Sequence, residues 1–323
     1  MPGKRKFEEQ LAALDALRQQ PPELAIEPLR KALAQRNNFL VAKAADRVRE
    51  LSLSQLTPEL LTAFDRFFED PVKSDPQCWA KIAIARALAA FEHQDADVFL
   101  RGMKHIQPEP SYGGASDSGG ALRATCAFAM VQCRRLTDSD LLAHLIELLA
   151  DKDKSVRAEV CRAIEQVGSP SAGLLLRLRA VLGSDEPEVL GACYSGVLRI
   201  EGVSAIAWVS RFLEPGDDAA GEAALAIAGT HSLEGFKALR DRLEIARDPW
   251  LVAVLLSAIA LTRQEEAIEL LLDLVRTESR HSEHAVEAIC RSAPQEEVIK
   301  RLEGLVERNP RLSRCLANHR SSA

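Results

Sequence analysis

The stretch from Leu141 to Val167 reads LLAHLIELLADKDKSVRAEVCRAIEQV. In its first part Leu142, Leu145, Ile146 and Leu149 fall three or four residues apart. In its second part Val156, Val160, Ala163, Ile164 and Val167 do the same, and this is the spacing that lines one face of an α-helix. Between them, Asp151-Lys152-Asp153-Lys154-Ser155 supplies carboxylates suited to cap the free amides of the second helix and to sit at its positive end. The stretch predicts two amphipathic helices joined by a tight polar turn. One such pair cannot bury both apolar stripes, so it requires neighbours of the same kind.

Those neighbours are legible when each second helix is aligned on a small residue followed by an apolar one. The anchors are Ala87-Leu88, Ala129-Met130, Ala163-Ile164, Gly196-Val197, Ala226-Ile227, Ala258-Ile259 and Ala288-Ile289, with spacings of 42, 34, 33, 30, 32 and 30 residues. Two-helix solenoid repeats have such periods. An earlier unit, Leu24 to Leu51, turns around Arg36-Asn37-Asn38 but aligns poorly, as a terminal repeat with one wet face does. Acidic turns with proline recur at Asp75-Pro76, Asp185-Glu186-Pro187 and Asp248-Pro249, where a first-turn residue needs no amide partner. The expectation is an all-α fold, an α/α superhelix of about eight helical pairs forming one domain over residues 1–323. Residues 1–23 are read as an N-terminal cap, 24–305 as repeats and 306–323 as a C-terminal tail.

The repeats resemble the HEAT repeat family, in particular the short bacterial HEAT-like units of the bilin-lyase type. The resemblance is carried by Asp151, Asp153, Val156, Arg157, Ala158 and Ala163-Ile164 and covers roughly residues 24–305. It implies a ladder between turn aspartates and basic residues of neighbouring units, with Asp75 and Lys81, then Asp117 and Arg123, in matching columns. Leu190, Ala220 and Val252 stand in the basic column further on, so the ladder is expected to stop near mid-chain. The family implies little about activity, because the same architecture serves scaffolds, transport receptors, lyases and DNA glycosylases. The iron-binding HEAT-repeat hydroxylase, deoxyhypusine hydroxylase, uses His-Glu dipeptides, and this sequence contains none.

Composition narrows the function classes. The chain has 323 residues, 47% of them hydrophobic but only 5% aromatic, which suits a Leu/Ala/Val core and offers few rings for stacking on bases or sugars. Residues 1–162 hold 23 basic and 23 acidic side chains, so the net charge of −6 falls in the second half. That balance makes nucleic acid an unexpected partner, since phosphate binding calls for a basic stripe. The clustered basic groups are Lys4-Arg5-Lys6 near one end and Arg308, Arg311, Arg314 and Arg320 near the other. No apolar run approaches the roughly 18 residues of a membrane span, and the basic start leads into Phe7-Glu8-Glu9-Gln10 rather than an apolar segment, so a cytoplasmic protein without a membrane partner is expected. Of the seven cysteines, Cys126, Cys133, Cys161, Cys193 and Cys290 are placed in second helices as buried thiols. His281 and His284 share a helical face, but no third ligand is evident, so no metal and no cofactor are expected.

Two segments carry the expected binding residues. The connection Gln107 to Gly120, QPEPSYGGASDSGG, is the one long irregular turn and places Tyr112 and Asp117 before a helix that carries Arg123. It lacks the Lys and Ser/Thr of a phosphate loop, with Gly120 and Ala121 in their places. Its replacement from Pro108 to Ser118 by a short linker is expected to leave the array folded. The second segment, Leu251 to Leu261, is apolar on every face and follows Trp250. It either packs on all sides in a curved stack or lines an apolar concave groove. The functional expectation is a non-enzymatic protein-binding scaffold using Tyr112, Asp117, Arg123, Trp250 and Leu251. A bilin-lyase-like enzyme and a HEAT-like DNA-repair protein are the alternatives.

Overall fold

A computed structural model describes residues 2–292 and 295–320, with side chains from 7 onward to 319. The side chains of Lys4-Arg5-Lys6 and Arg320 therefore lie outside the described residues. The chain divides into two compact units, Met1–Val167 and Gly168–Ala323.

In the first unit the helix Pro2–Ala16 precedes four pairs: Pro22–Leu33 with Asn38–Glu50, Thr57–Arg66 with Trp79–Ala90, Ala96–Met103 with Gly120–Val131, and Asp138–Leu148 with Lys154–Val167. The second helices of these pairs pack directly on one another in a row. Second-helix anchors are the innermost residues: Ala87, Leu88, Ala129, Met130, Ala163 and Ile164 are all essentially buried. Small side chains at these positions let neighbouring helix backbones approach closely.

In the second unit five pairs follow the same plan. They are Pro170–Leu182 with Pro187–Glu201, a broken segment around Ile206–Ser210 with Asp218–Ala228, Leu233–Ile245 with Pro249–Leu261, Glu265–Arg276 with Ser282–Arg291, and Glu296–Val306 with Pro310–Arg320. Nine pairs are thus present among the described residues. The last corrects the reading of 306–323 as a tail: Pro310 opens a helix whose Leu312 and Leu316 are buried, and this helix packs on Ser282–Arg291.

The turn chemistry follows the sequence. Asp153 accepts from the Ser155 N–H at 2.8 Å, and Asp217 and Asp248 accept from Ala220 N and Leu251 N at 3.0 and 2.9 Å, with Pro249 in the first helical turn. The helix Pro249–Leu261 is covered on most of its girth, with Leu251, Val252, Leu255, Leu256, Ala258, Ile259 and Ala260 buried. One helical stretch among the described residues, Pro187–Leu213, is long and apolar enough to cross a membrane. This departs from the sequence reading, which found no such run. Its most apolar window is 61% buried, and the regular helix ends at Gly202, whose φ of 68° favours a residue without a Cβ.

The connection 107–120 is not an open turn. It forms the only sheet among the described residues, an antiparallel hairpin of β1, Pro108–Ser111, and β2, Gly114–Asp117, with Glu109 opposite Ser116. Tyr112 and Gly113 make the tip, and Gly113 takes a φ of 92° there. Prolines at 108 and 110 are tolerated because both strands are edges.

Candidate functional site

Four polar side chains lock the base of the hairpin onto the helices. Glu109 is 6% exposed, and its carboxylate accepts from the Gln77 N–H at 2.6 Å, the Gln77 side-chain amide at 2.8 Å, Gln107 Nε2 at 2.6 Å and Ser118 Oγ at 2.6 Å. Burial pushes this carboxyl up, but the donors from Ser118, Gln77 and Gln107 outweigh it and hold it below the ordinary range. Gln77 and Cys78 both sit at positive φ, 62° and 54°, an unfavourable conformation for residues with side chains. The bond from Gln77 N to Glu109 fixes that strained pair, so the hairpin and the start of the helix Trp79–Ala90 stabilise each other. Gln107 completes the cluster by donating to the Asp75 carbonyl at 2.9 Å, while Cys78 Sγ donates to Gln107 Oε1 at 3.2 Å.

Asp117 and Arg123, expected as binding residues, are brought together at 2.6 Å. Arg123 also donates to both oxygens of Asp151 in the next pair, at 2.7 and 3.0 Å, and to the His105 carbonyl at 3.0 Å. Gly119 makes the approach possible, because a Cβ there would lie 2.7 Å from the His105 carbonyl and 3.1 Å from Arg123 Nη1. Burial acts against the charge on Arg123, but Asp151 and Asp117 together raise its pKa. For Asp117 burial is likewise opposed, by the amides of Gln107 and Gly119 and by Arg123, and its pKa falls below the ordinary value. This is the ladder the aligned columns implied. In the next pair Arg157, in the same column, donates to the carbonyls of Asp151 and Lys152, at 2.6 and 3.1 Å.

An earlier rung is fully internal. Lys81 and Asp75 are both completely buried with Nζ 3.0 Å from Oδ2, and Asp75 also accepts from Ala80 N, Lys81 N and Asn38 Nδ2. Such a pair tolerates the loss of neither member.

These partners reassign several expected roles. Asp117 and Arg123 are engaged in structural pairing: Arg123 is buried, whereas Asp117 keeps about a third of its side chain exposed. Tyr112, in contrast, stands fully exposed at the hairpin tip. In the second unit Leu251 is 1% exposed and belongs to the core, which corrects its reading as a binding residue. Its neighbour Trp250 is 43% exposed, and its indole lies over Gly221 on the preceding second helix, where an added Cβ would sit 3.3 Å from Cη2. Val254 reaches the same glycine, and Leu225, one turn from Gly221 on the same helix face, is 45% exposed. Trp250, Val254 and Leu225 thus form an aromatic and aliphatic patch on the second-helix face. Glu222 borders it, lying over Gly191 on the helix before.

Four of the five cysteines expected as buried thiols are buried, and Cys290 departs from that expectation. Cys78, Cys126, Cys133, Cys161 and Cys193 are buried, while Cys290 and Cys315 are half-buried. Cys133 lies two residues past the helix Gly120–Val131, a small departure from its expected place. Burial pushes the Cys78 thiol up to about 11, which removes thiolate reactivity near neutral pH. Among the described residues no group of three or more His, Cys, Asp or Glu side chains is arranged to hold a metal ion.

The sequence reading missed two features. Glu109 was overlooked because a carboxylate between two prolines in a Gly/Ser-rich segment carries no periodic signal. The other is a row of exposed apolar side chains on the helix Pro170–Leu182, namely Leu174, Leu178, Val181 and Leu182. A run such as LLLRL suggests core throughout, whereas only Leu176 of its leucines is fully covered.

No curated protein matches the chain. Residues 142–228, from within the helix Asp138–Leu148 to the end of Asp218–Ala228, match the family model of HEAT repeats, and the helical pairs on either side follow the same two-helix plan.

Proposed function

We propose that this chain is a non-enzymatic protein-binding scaffold that receives its partner on the second-helix face of its second unit. The observation that carries this reading is Trp250, a half-exposed indole laid on Gly221 beside Val254 and Leu225. A tryptophan held rigidly on a backbone bed gives contact area at small entropic cost, and interfaces draw most of their energy from a few such residues. The fully exposed Tyr112 at the hairpin tip offers a separate contact in the first unit. A protein partner fits better than nucleic acid, because the net charge is −6 and all of it arises in the second half of the sequence.

A bilin-lyase-like activity would draw on Tyr112, Asp117 and Arg123. The last two are already engaged with each other and with Asp151, which leaves Tyr112 without a chemical partner and weighs against that reading.

Affinity capture from an extract of the source cells with the immobilised full chain tests the scaffold reading. A defined protein retained by the wild type should be lost from a Trp250→Ala, Leu225→Glu variant that keeps its helical spectrum. A loss of about 2 kcal/mol at such an anchor corresponds to roughly 30-fold in affinity. An identical set of proteins on both resins would overturn the reading.

A further inference from the structure

The helix Pro170–Leu182 presents Leu174, Leu178, Val181 and Leu182 on one face, each between 58% and 67% exposed. Spacings of four, three and one place them on a single stripe, the seam pattern by which one helix packs along another. Half-buried Leu175 flanks it. At 1.5 Å per residue the stripe is about 12 Å long. Nothing else on this helix is so apolar and so open, because Ala172, Leu176 and Ala180 face the core.

The stripe is symmetric about Leu178. A two-fold axis through that residue, relating two antiparallel copies of the helix, sets each residue a given number of places before 178 against the one the same number after it. Leu174 then meets Leu182, and Leu175 meets Val181. Every large apolar position on the exposed face finds an apolar counterpart. Isologous pairing of this kind is the commonest way soluble proteins self-associate.

Charge permits the same arrangement. The axis also brings Arg177 towards Arg179 of the other copy, and each is already neutralised within its own chain. Arg177 donates through Nε to Glu201 at 2.8 Å and lies 4.4 Å from the Trp208 ring centre, while Arg179 donates through Nε to Asp185 at 2.9 Å. The seam carries no unpaired charge that would select an oppositely charged partner. Area agrees: four such side chains expose on the order of 400 Å², so two copies bring about 800 Å². A standard interface of about 1,600 Å² is somewhat more than half apolar, or roughly 900 Å².

We infer that a second copy of this chain docks on the Leu174–Leu182 stripe, forming an antiparallel helix pair with its two-fold axis at Leu178. The contact uses a first helix, away from the Trp250 patch on the second-helix row, so its failure would leave the scaffold reading intact.

Sedimentation velocity of the full chain from about 1 to 100 µM, the range where modest interfaces associate, tests the pairing. The wild type should shift from monomer to dimer. Leu178→Glu sets two carboxylates against each other on the axis and should weaken dimerisation at least about 100-fold, while its melting curve, compared with the wild type at a concentration where both are monomeric, stays unchanged because the side chain is exposed. A wild type that remains monomeric, or a Leu178→Glu chain that dimerises equally well, overturns the proposal. Cysteine cross-linking, with Cys290→Ser and Cys315→Ser removing the half-exposed native thiols, fixes the direction. Leu178→Cys should couple to itself, and Leu174→Cys should couple to Leu182→Cys in mixed samples but poorly to itself. Self-coupling of Leu174→Cys in preference to the mixture would overturn the antiparallel arrangement.

Discussion

Replacing Glu109 with alanine removes one acceptor that serves four donors. Two of those donors keep another partner: Gln107 Nε2 still reaches the Asp75 carbonyl at 2.9 Å, and Ser118 Oγ still reaches the Gln107 carbonyl at 3.3 Å. The Gln77 side chain is exposed and turns to water. The Gln77 backbone N–H has no other acceptor among the described residues, and stranding it costs about 1–3 kcal/mol. Bonds to a charged acceptor contribute roughly 1.5–3 kcal/mol each, partly recovered where donors re-pair. The variant also releases the restraint on the left-handed pair Gln77 and Cys78. The net loss should be about 3–4 kcal/mol. At about 2–4 °C per kcal/mol for a unit of this size, the first unit should melt roughly 6–16 °C lower. Glu109→Gln, which keeps one accepting oxygen, should fall between this and the wild type. Thermal melts followed by circular dichroism at pH 7 measure the effect, and a titration adds a check of sign. The folded Glu109 carboxyl lies below its ordinary 4.5, so its contribution is complete above that pH and disappears as the pH falls through the lower folded value. The difference between wild type and Glu109→Ala should therefore shrink in acid. A Glu109→Ala chain that melts within 1 °C of the wild type at pH 7, on the order of measurement error, would refute the view that the hairpin is structural.

Other variants separate structure from surface. Arg123→Met leaves Asp117 and Asp151 without their shared guanidinium, and thermal melts should show a loss of about 3–5 kcal/mol. Tyr112→Ala, at the fully exposed tip, should leave the melting temperature unchanged, and a marked drop would mean that the tip packs against something. Replacing Pro108 to Ser118 with a short Gly/Ser linker should destabilise the first unit at least as much as Glu109→Ala, the reverse of what composition suggests. In native conditions a thiol reagent should label Cys290 and Cys315 well before the five buried cysteines, as peptide mapping of the alkylated chain would show.

The repeat plan was legible because its signal is local and redundant. Each anchor, such as Ala163-Ile164 or Ala258-Ile259, is both small enough for close helix approach and buried in the row, so the sequence marks it repeatedly. Cys161, Tyr194, Ala224 and Leu256, each two residues before its anchor, are likewise buried. The ninth pair was hidden because Pro310–Arg320 is rich in Arg and polar residues and buries only Leu312 and Leu316 on its described side chains. The hairpin was hidden for another reason. Its stability rests on Glu109 reaching Gln77, 32 residues away, and no local pattern encodes a carboxylate satisfied by distant amides. Periodicity also places apolar residues on a face without saying whether anything covers it, which is why Ile146, on the stripe of Leu142, Leu145 and Leu149, emerges exposed, and why the open Leu174 and Leu178 carried no signal. Trp250 and Leu251 show the same limit at single-residue scale: adjacent in sequence, one opens to solvent and the other closes the core.

The central claim, that the second-helix face around Trp250 receives a protein, is tested most directly by placing a photo-cross-linking phenylalanine analogue at position 250 of the full chain in its source cell. A control variant carries the analogue in place of Lys300, an exposed residue on a first helix. The account predicts a discrete cross-linked partner from position 250 that is absent from position 300 and disappears when Leu225→Glu is added. Identical products from both positions, or none from position 250, would contradict it.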